Sequence, residues 1–361
     1  MVKNITYLLG AGASANCLPV IDEMPKRLNI LKAELNIRSK AVFVNNPGND
    51  VFAGEDDISN ARTLVADLEW LSGEIQKHKT VDTLAKKFYL IKSKNADLKK
   101  LKKVLIAYFI YEQTKIGGEI NSGAKEVPDK RYDSLIATII DKKIGNLNLP
   151  TNFKIITWNY DLQFEIAYKE YLHEMSINDI QKKIQAIPST EFIKRNTFFD
   201  YNKFSIVRLN GVAGLKIDLE GHLKRGSKTE KDDLKDFLAS IARYYCNMPD
   251  DDIRVFNYSW ENPDDYSDTY EETNTVKKIA KEIMRATDIL VIIGYSFPVF
   301  NRSVDKELFG TLNRQTQIYI QDKNANEIQK LIIESFNTVF PDRIKAYNLV
   351  NQFFIPPEAD I

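Results

Sequence analysis

The apolar residues of this chain fall into short continuous runs separated by longer stretches of helical spacing. Runs rich in Ile, Val and Leu, each followed by a polar or glycine-containing segment, occupy residues 5–9, 154–157, 204–209, 289–293 and 317–320. Short apolar runs without alternation are typical of parallel strands that are buried on both faces. Such strands, separated by helical segments, indicate an α/β protein. The pattern therefore predicts a Rossmann-like, mainly parallel sheet with helical insertions.

The connection between the first two predicted strands is too long for a single crossover. Apolar residues recur in it at helical spacing in three segments, 64–75, 81–91 and 98–113. We interpret the chain as a discontinuous sheet domain at 1–35 and 131–361, with a helical insertion at 36–130. Further interruptions of the sheet domain are predicted as a mixed insertion at about 165–203 and charged loops at 215–272.

A glycine-containing loop follows the first predicted strand. Gly10, Gly12 and Ala15 fit the pattern G-x-G-x-x-A, in which backbone N–H groups and a helix N-terminus hold a pyrophosphate. No Lys-Ser/Thr pair follows, so the loop is not a Walker P-loop. A dehydrogenase also needs an acidic residue about 20 positions on, at the end of a second strand. Glu34 is near that distance but lies in a helical pattern, which disfavours an ordinary nicotinamide dehydrogenase. Alone, the loop fits a nucleotide site and a tight structural turn equally well.

Polar residues also follow the second predicted strand, in the segment "IITWNYD". Thr157, Asn159 and Asp161 stand at alternate positions there. If the backbone stays extended, all three side chains point to one side, toward a ligand at the carboxyl edge of the sheet. The alternative is local, because Asn and Asp after a strand often make a turn or cap a helix.

The last two predicted strands end in the same way. Gly294 and Ser296 follow the strand at 289–293, where a glycine allows close backbone approach and a hydroxyl can bond a phosphate or ribose. A tight turn ended by Pro298 is the structural alternative. Gln321 and Asn324 follow the final predicted strand, and their amides suit ribose hydroxyls or an adenine edge.

Together, the motifs GAG-x-S, T-x-N-x-D and G-x-S occur in the order found in the sirtuin family, which this chain resembles over most of its length except the insertions. The resemblance implies a Rossmann-like NAD site. The loop at 10–14 and the turn at 294–296 would hold the phosphates, 157–161 would face the nicotinamide ribose, and 321–324 would lie toward the adenosine. The residues implied to bind NAD are Gly10, Ala11, Gly12, Ser14, Thr157, Asn159, Asp161, Gly294, Ser296, Gln321 and Asn324.

The cysteine content separates this chain from one branch of that family. Sirtuin deacylases carry a zinc module held by four cysteines, whereas only Cys17 and Cys246 occur here, outside any CxxC spacing. No zinc is therefore expected. The segments "GASANCLPVIDE", "KTVDTLAKKF" and "GYSFP" instead resemble bacterial sirtuin-like defence proteins, which hydrolyse NAD during phage infection. NAD is then the substrate rather than a cofactor, and the expected products are nicotinamide and ADP-ribose.

The implied reaction breaks the bond between nicotinamide and ribose through an oxocarbenium-like state. Nicotinamide leaves as a neutral molecule, so the site has to supply orientation, a positioned water and polar groups near the developing charge. In the resemblance, Asn159 would hold the ribose hydroxyls or the water. Asp161 would orient Asn159 or stabilise the cation.

One position departs from the family pattern. In "VRLNGVAG", Asn210 stands where the family has a histidine that can act as a base. Hydrolysis would then rely on positioning and a water relay, or on another residue such as His222 if its loop folds back. His78 and His173 fit surface or packing positions. The alternative function is a non-catalytic NAD- or ADP-ribose-binding sensor or scaffold subunit of a defence complex.

Charge and hydropathy limit the partners. Lys and Arg together number 50, as do Asp and Glu, so direct nucleic-acid binding is not indicated. The apolar run at 289–300 is too short for a membrane span, and no signal-peptide pattern precedes the first strand. We expect a cytoplasmic location. The resemblance implies a HerA-type ATPase or another defence protein as partner. A homo-oligomer is also expected, with the helical insertion and the tail at 351–361 as candidate contacts, although the tail fits a final strand equally well.

Overall fold

The computed structural model describes residues 2–18, 23–41, 55–78, 80–113, 128–143, 146–189, 198–214, 230–258, 260–261 and 270–359. The chain divides into two compact units. The first unit consists of Met1–Asn16, Pro128–Val212 and Asn257–Ile361. The second unit consists of Cys17–Val127 and Ala213–Phe256, so it contains the predicted insertion together with residues 17–35 and 213–256.

All described strands belong to the first unit. They are β1 (Ile5–Leu9), β2 (Asp141–Lys143), β3 (Asn146–Asn148), β4 (Phe153–Thr157), β5 (Ala186–Ile187), β6 (Ser205–Arg208), β7 (Ile289–Ile293), β8 (Gln317–Gln321) and β9 (Ile344–Tyr347). Seven of them form one parallel sheet in the order β5-β6-β4-β1-β7-β8-β9, while β2 and β3 make a separate antiparallel pair. The predicted Rossmann-like parallel sheet is confirmed, and β5 and β9 extend it at its two edges.

The strand order places a crevice at the carboxyl end of β1. From β1 the chain adds β4, β6 and β5 on one side, and then returns to add β7, β8 and β9 on the other. Ligands of open α/β sheets bind where the strand order reverses in this way. Leu9 is in register with Thr157 of β4 and with Ile293 of β7. The segments that follow these three strands therefore begin at the same level.

The described helices are α1 (Met24–Ala41), α2 (Glu55–Ile75), α3 (Val81–Leu90), α4 (Asn95–Gln113), α5 (Lys130–Ile139), α6 (Gln163–Lys169), α7 (Ile177–Lys183), α8 (Glu230–Cys246), α9 (Asp250–Val255), α10 (Tyr270–Arg285), α11 (Arg302–Phe309) and α12 (Ala325–Ser335). In the first unit, α5–α7 share a buried cluster with one face of the sheet, and α10–α12 share another with the opposite face. Alternation along β1 produces this division, because Tyr7 belongs to the first cluster and Leu8 to the second. The first unit is thus a three-layer α/β/α arrangement.

The second unit is helical in its described residues. Helix α2 packs against α1 and α8, and α4 packs against α3 and α8. The three helical segments predicted between the first strands are confirmed in α2, α3 and α4. Glu34 lies in α1, as its helical pattern indicates, and its carboxylate accepts a hydrogen bond of 2.7 Å from the Tyr111 hydroxyl.

Two helices, α8 and α9, lie within the stretch at 215–272 that the sequence suggested to be charged loops. These helices contain many charged residues, but their apolar residues recur at helical spacing, such as the buried Leu238, Ile241 and Tyr245 of α8. The start of α10 also falls in this stretch, while residues 215–229, 259 and 262–269, including His222, lie outside the described residues. In the mixed insertion predicted at about 165–203, the described part contains α6, α7 and β5. Among the described residues, no helix is both long and apolar enough to cross a bilayer.

Candidate functional site

The glycine loop after β1 contacts the turn after β7, backbone against backbone. The Gly10 N–H donates to the Ile293 carbonyl at 3.0 Å, and the Gly12 N–H donates to the Gly294 carbonyl at 2.9 Å. A Cβ atom added to Gly12 would lie 2.7 Å from the Gly294 Cα, closer than real Cβ contacts. Two motifs separated by nearly the whole chain thus meet at the crevice, and glycines are needed there for close packing.

The turn after β7 holds its shape through unusual backbone angles. Gly294 has φ +60°, and Phe297, a residue with a bulky side chain, has φ +53°. Such angles are strained for a residue other than glycine and persist only where the surroundings hold them. The Phe297 ring is buried against Tyr295, Phe309 and Phe336. Ser296 is exposed between these anchored residues.

Ser14 connects the glycine loop to the polar residues after β4. This buried residue ends the 3-10 turn (Ala11–Ser14). Its hydroxyl donates to Asp161 Oδ2 at 2.8 Å and accepts from Asn159 Nδ2 at 3.3 Å. The Tyr132 hydroxyl lies 3.0 Å from the same oxygen. Because the single Ser14 proton is given to the carboxylate, Tyr132 donates to Ser14. Ser14 is therefore an internal junction, and its hydroxyl has no remaining capacity for a phosphate.

Asn159 is fixed in orientation by the glycine loop. Its Nδ2 donates to the Gly10 carbonyl at 2.9 Å, and a carbonyl can only accept, so this end of the amide must be the NH₂ group. The other atom of the amide, Oδ1, is then the acceptor, on a half-buried side chain. The Asn159 backbone N–H donates to Thr157 Oγ1 at 3.0 Å. The buried Thr157 side chain thus holds the backbone of Asn159.

Asp161 acts on Asn159 through Ser14 rather than by direct contact. Its Oδ1 accepts the Gln163 N–H at 3.1 Å, while its Oδ2 accepts the Ser14 hydroxyl. Burial raises the pKa of this carboxyl above its usual value. The hydrogen bonds from Ser14 and Gln163, together with the positive charge of Arg208, oppose that rise in pKa. Asp161 is thus a buried carboxylate stabilised by specific donors.

A buried ion pair lies next to Asp161. The Arg208 Nη2 contacts both carboxylate oxygens of Glu165 at 2.6 Å, and neither side chain is more than 2% exposed. The Arg208 Nε also donates to the Asp161 carbonyl at 3.1 Å. Arg208 ends β6, so it connects the ends of two strands and the start of α6.

Asn210 connects the segments that follow β4 and β6. Its side-chain Nδ2 donates to the Trp158 carbonyl at 3.1 Å, and its backbone carbonyl accepts the Asn257 N–H at 2.9 Å. Its Oδ1 is buried without a protein partner, as is the indole Nε1 of Trp158. Buried polar atoms of this kind call for a water or a ligand group. Since Trp158 directly precedes Asn159, Asn210 lies beside the candidate site.

Two histidines lie in the described part of the chain, one in each unit. His173 is exposed after α6. His78 belongs to the second unit, where its Nδ1 lies 2.9 Å from the Glu74 carbonyl at the end of α2. Both positions agree with surface or packing roles.

The residues expected toward the adenosine have other contacts. Gln321 is buried, and its Nε2 donates to the carbonyls of Leu349 and Gln352, both at 2.6 Å. Its Oε1 accepts the Phe354 N–H at 2.9 Å. The Gln321 amide thus holds the C-terminal segment rather than facing the crevice. Asn324 is exposed at the start of α12.

The C-terminal tail lies on the first unit and forms no strand in its described part, residues 351–359. Phe353 is buried with its ring 4.9 Å from that of Tyr132, edge to face. The Tyr319 hydroxyl donates to Glu358 at 2.6 Å. The interpretation of the tail as a final strand is wrong, because side-chain contacts hold it against the sheet instead.

Sequence reasoning missed three residues that surround the glycine loop, namely Asp129, Arg131 and Tyr132. All three lie at the start of α5, where Asp129 caps the helix by accepting the Arg131 N–H at 3.1 Å. An Asp before a helical pattern is a recognisable capping signal. Their contacts to Gly12 and Ser14 cross more than a hundred positions of sequence, however, and no local pattern reports such contacts.

The chemistry of this site comes from amides, hydroxyls and one carboxylate. Within the described ranges, no group of three or more His, Cys, Asp or Glu side chains is arranged to hold a metal ion. No protein-family model matches the chain, and no curated protein matches it in sequence.

Proposed function

We propose that this protein hydrolyses NAD⁺ to nicotinamide and ADP-ribose. The observation that carries the proposal is Asn159, whose amide is locked by the Gly10 carbonyl and Ser14 beside a glycine loop at the reversal of strand order. This edge of an open α/β sheet is where dinucleotides bind. The resemblance of the surrounding motifs to the sirtuin family supports NAD as the substrate.

In the proposed mechanism, Asn159 contributes an oriented acceptor. With Nδ2 held by Gly10, its Oδ1 is presented to a ribose hydroxyl or to the attacking water. Because the amide is already fixed, little reorganisation is needed as positive charge develops on the ribose. The negative charge of Asp161 reaches the site through the Ser14 hydroxyl and favours the oxocarbenium-like state. Nicotinamide departs as a neutral molecule, so no general acid is required.

Hydride transfer fits the chain less well. The acidic residue near the required spacing, Glu34, belongs to a helix of the second unit and accepts a hydrogen bond from Tyr111. A dehydrogenase would place that acid at the end of a strand to bind the ribose. The four-cysteine zinc module of sirtuin deacylases cannot be built from two cysteines. These two points leave hydrolysis as the reaction that the site supports best.

Replacing the Asn159 amide tests the proposal directly. We expect Asn159→Ala to lower the rate of nicotinamide release by about a hundredfold, as for the loss of one preorganised polar group in an active site. Nicotinamide is measured by chromatography after incubation of the purified protein with NAD⁺. The matched control is Asn152→Ala. Asn152 precedes β4 as Asn159 follows it, and its amide donates to the Lys3 carbonyl at 2.8 Å. Full turnover by Asn159→Ala would refute the assigned role.

Asn210 favours a second candidate, an NAD- or ADP-ribose-binding subunit without catalysis. An asparagine cannot accept a proton near neutral pH, so chemistry that needs a base would be absent. We expect Asn210→His to raise nicotinamide release at least about tenfold above pH 6.5, where a histidine is neutral and can act as a base. If the parent and Asn210→His both bind NAD⁺ by calorimetry but release no nicotinamide, the binding function replaces the hydrolase.

We further propose a cytoplasmic role in antiphage defence by NAD depletion. The support is the resemblance to bacterial sirtuin-like defence proteins, which implies a HerA-type ATPase or another defence protein as partner, and a homo-oligomer is also expected. Cells that carry the protein should lose NAD after phage infection, whereas cells carrying Asn159→Ala should not. Equal NAD levels in the two strains after infection would refute the role in antiphage defence.

A further inference from the structure

Arg131, a buried residue at the start of α5, donates hydrogen bonds to the glycine loop. The Arg131 Nη2 donates to the carbonyl oxygens of Gly12 at 3.2 Å and Ala13 at 3.0 Å, and the residue is 5% exposed. Both carbonyls belong to the 3-10 turn (Ala11–Ser14). Because both accept from the guanidinium, its positive charge offsets their partial negative charges. A pyrophosphate in the crevice would otherwise be repelled by them.

Asp129 fixes the position of this arginine. The Arg131 Nε donates to Asp129 Oδ1 at 3.0 Å and Nη2 donates to Oδ2 at 2.6 Å, a two-point pair that defines both the place and the plane of the guanidinium. Oδ2 also accepts the backbone N–H of Asn16 at 3.2 Å. A single buried ion pair therefore contacts the segment from Gly12 to Asn16 at both of its ends.

The C-terminal segment 350–353 provides further contacts to Arg131. Nη1 donates to the Val350 carbonyl at 3.4 Å, and the guanidinium carbon lies 5.3 Å from the centre of the Phe353 ring. The Phe353 ring in turn meets Tyr132, which bonds Ser14. Arg131 thus contacts both the glycine loop and the C-terminal segment, and Gln321 holds that segment through its amide.

We propose that Arg131 is a positioning residue that sets the shape of the 12–16 segment for NAD binding, with the C-terminal segment 350–353 completing its support. Its effect on NAD affinity rests on the proposed function, while its effect on the 12–16 segment rests on the contacts alone. Lysine cannot replace it, because one ammonium group cannot pair with Asp129 at two points and also reach two carbonyls.

The test is Arg131→Lys in the full chain. We expect the Kd and KM for NAD⁺ to rise about tenfold while kcat changes less than about threefold. The 12–16 segment is altered, but Asn159 keeps its shorter hydrogen bond, to the Gly10 carbonyl, which lies outside that segment. The matched control is Arg27→Lys in the second unit, where Arg27 forms a similarly buried two-point pair with Glu112. An equal Kd in the parent and Arg131→Lys would overturn the proposal, and so would an equal rise in both variants.

Amide hydrogen exchange separates this proposal from the hydrolase assignment. Arg131→Lys should speed exchange at the Ala15 and Asn16 amides by about tenfold relative to Arg27→Lys, whether or not NAD⁺ binds. Unchanged exchange overturns the positioning role even if the protein hydrolyses NAD. Faster exchange in a protein that binds no NAD⁺ supports it and rejects the hydrolase instead.

A second variant covers the case in which Arg131→Lys fails to fold. Phe353→Leu removes the ring beside the guanidinium but keeps an apolar side chain in its place. We expect the same changes in exchange and affinity, reduced to about threefold because the Asp129 pair remains. No change at Ala15 and Asn16 would show that the C-terminal segment does not support Arg131.

Discussion

Gly294→Ala is expected to lower the free energy of unfolding by about 2–5 kcal/mol and to remove NAD binding with it. Of this loss, about 1–2 kcal/mol comes from the backbone angle and about 1–3 kcal/mol from overpacking. The φ of +60° at Gly294 is unfavourable for alanine. The added Cβ would also lie 2.5 Å from the Ala13 nitrogen, so the glycine loop would have to move. Movement of that loop displaces Gly10 and Ser14, which hold Asn159.

Gly12→Ala separates the two causes of this loss. Its Cβ would meet the Gly294 Cα at 2.7 Å, but Gly12 is not in the left-handed region, so only the overpacking cost of about 1–3 kcal/mol applies. The expected order of destabilisation is therefore Gly294→Ala above Gly12→Ala. Urea unfolding measured by circular dichroism gives both values.

The control for both variants is Gly73→Ala. Gly73 lies inside α2, and a Cβ there has no neighbour within 4 Å. Alanine should raise the stability of that helix by about 0.5–1 kcal/mol, because glycine loses more conformational freedom on folding. If Gly294→Ala and Gly12→Ala were as stable as the parent, the close contact between the two loops would be absent in solution.

The central strands were predictable because burial on both faces leaves a continuous apolar run. β1 and β7 are fully buried over all five residues, and the sequence predicted both at their observed bounds. β5 has two residues, too few for any pattern, and β9, at the edge of the sheet, has a single buried residue, Ile344. Edge strands receive much of their definition from their neighbour, which a local pattern does not contain.

The segment after β4 shows why two interpretations of one motif can both hold. Alternation was expected to aim Thr157, Asn159 and Asp161 to one side, but β4 ends at Thr157. Asp161 then uses Oδ1 for the backbone at the start of α6 and Oδ2 for Ser14. The structural use as a turn residue and the connection to the site coexist, because a carboxylate has two acceptor oxygens.

Residues that act across long sequence separations were beyond local reasoning. Arg131 and Gln321 have polar side chains in polar-looking segments, and nothing nearby indicates their buried partners. Polar residues after a strand suit a ligand and so predict Gln321 near the adenosine, whereas its amide holds the segment at 349–354. The three motifs at the ends of β1, β4 and β7 were recognisable because parallel topology brings those ends together.

Asp305→Asn is expected to make the protein more stable than the parent at neutral and alkaline pH. Asp305 is 1% exposed in α11, and both of its oxygens lie 2.9 Å from the Tyr295 hydroxyl. Burial raises the pKa of this carboxyl to about 8, although the Tyr295 hydrogen bond and the charge of Arg302 oppose the rise. In the unfolded chain the pKa of an aspartate is about 3.9.

The sign of the effect follows from proton binding. Between pH 4 and pH 8 the folded protein keeps a proton on Asp305 that the unfolded chain has already released, so the stability of the parent falls as pH rises through this window. Asparagine has no proton to lose and occupies nearly the same volume. The stability difference between Asp305→Asn and the parent should therefore grow from pH 4 to pH 8 and stay constant above it. It should reach several kcal/mol, because a pKa difference of one corresponds to about 1.4 kcal/mol.

Urea unfolding at a series of pH values from 4 to 9 measures this difference, with Asp342→Asn as the control. Asp342 has a side chain that is 76% exposed, so its substitution should give a stability difference that is small and nearly independent of pH. A parallel pH course for Asp305→Asn and the parent would show that Asp305 ionises normally in the folded protein. Asp305 would then be an ionised carboxylate that accepts a charge-assisted hydrogen bond from Tyr295, and this bond would hold the turn at 294–297. In that case Tyr295→Phe, which leaves this carboxylate without its donor, would destabilise the protein more at pH 8 than at pH 4, the opposite of the pH dependence expected from a buried neutral acid.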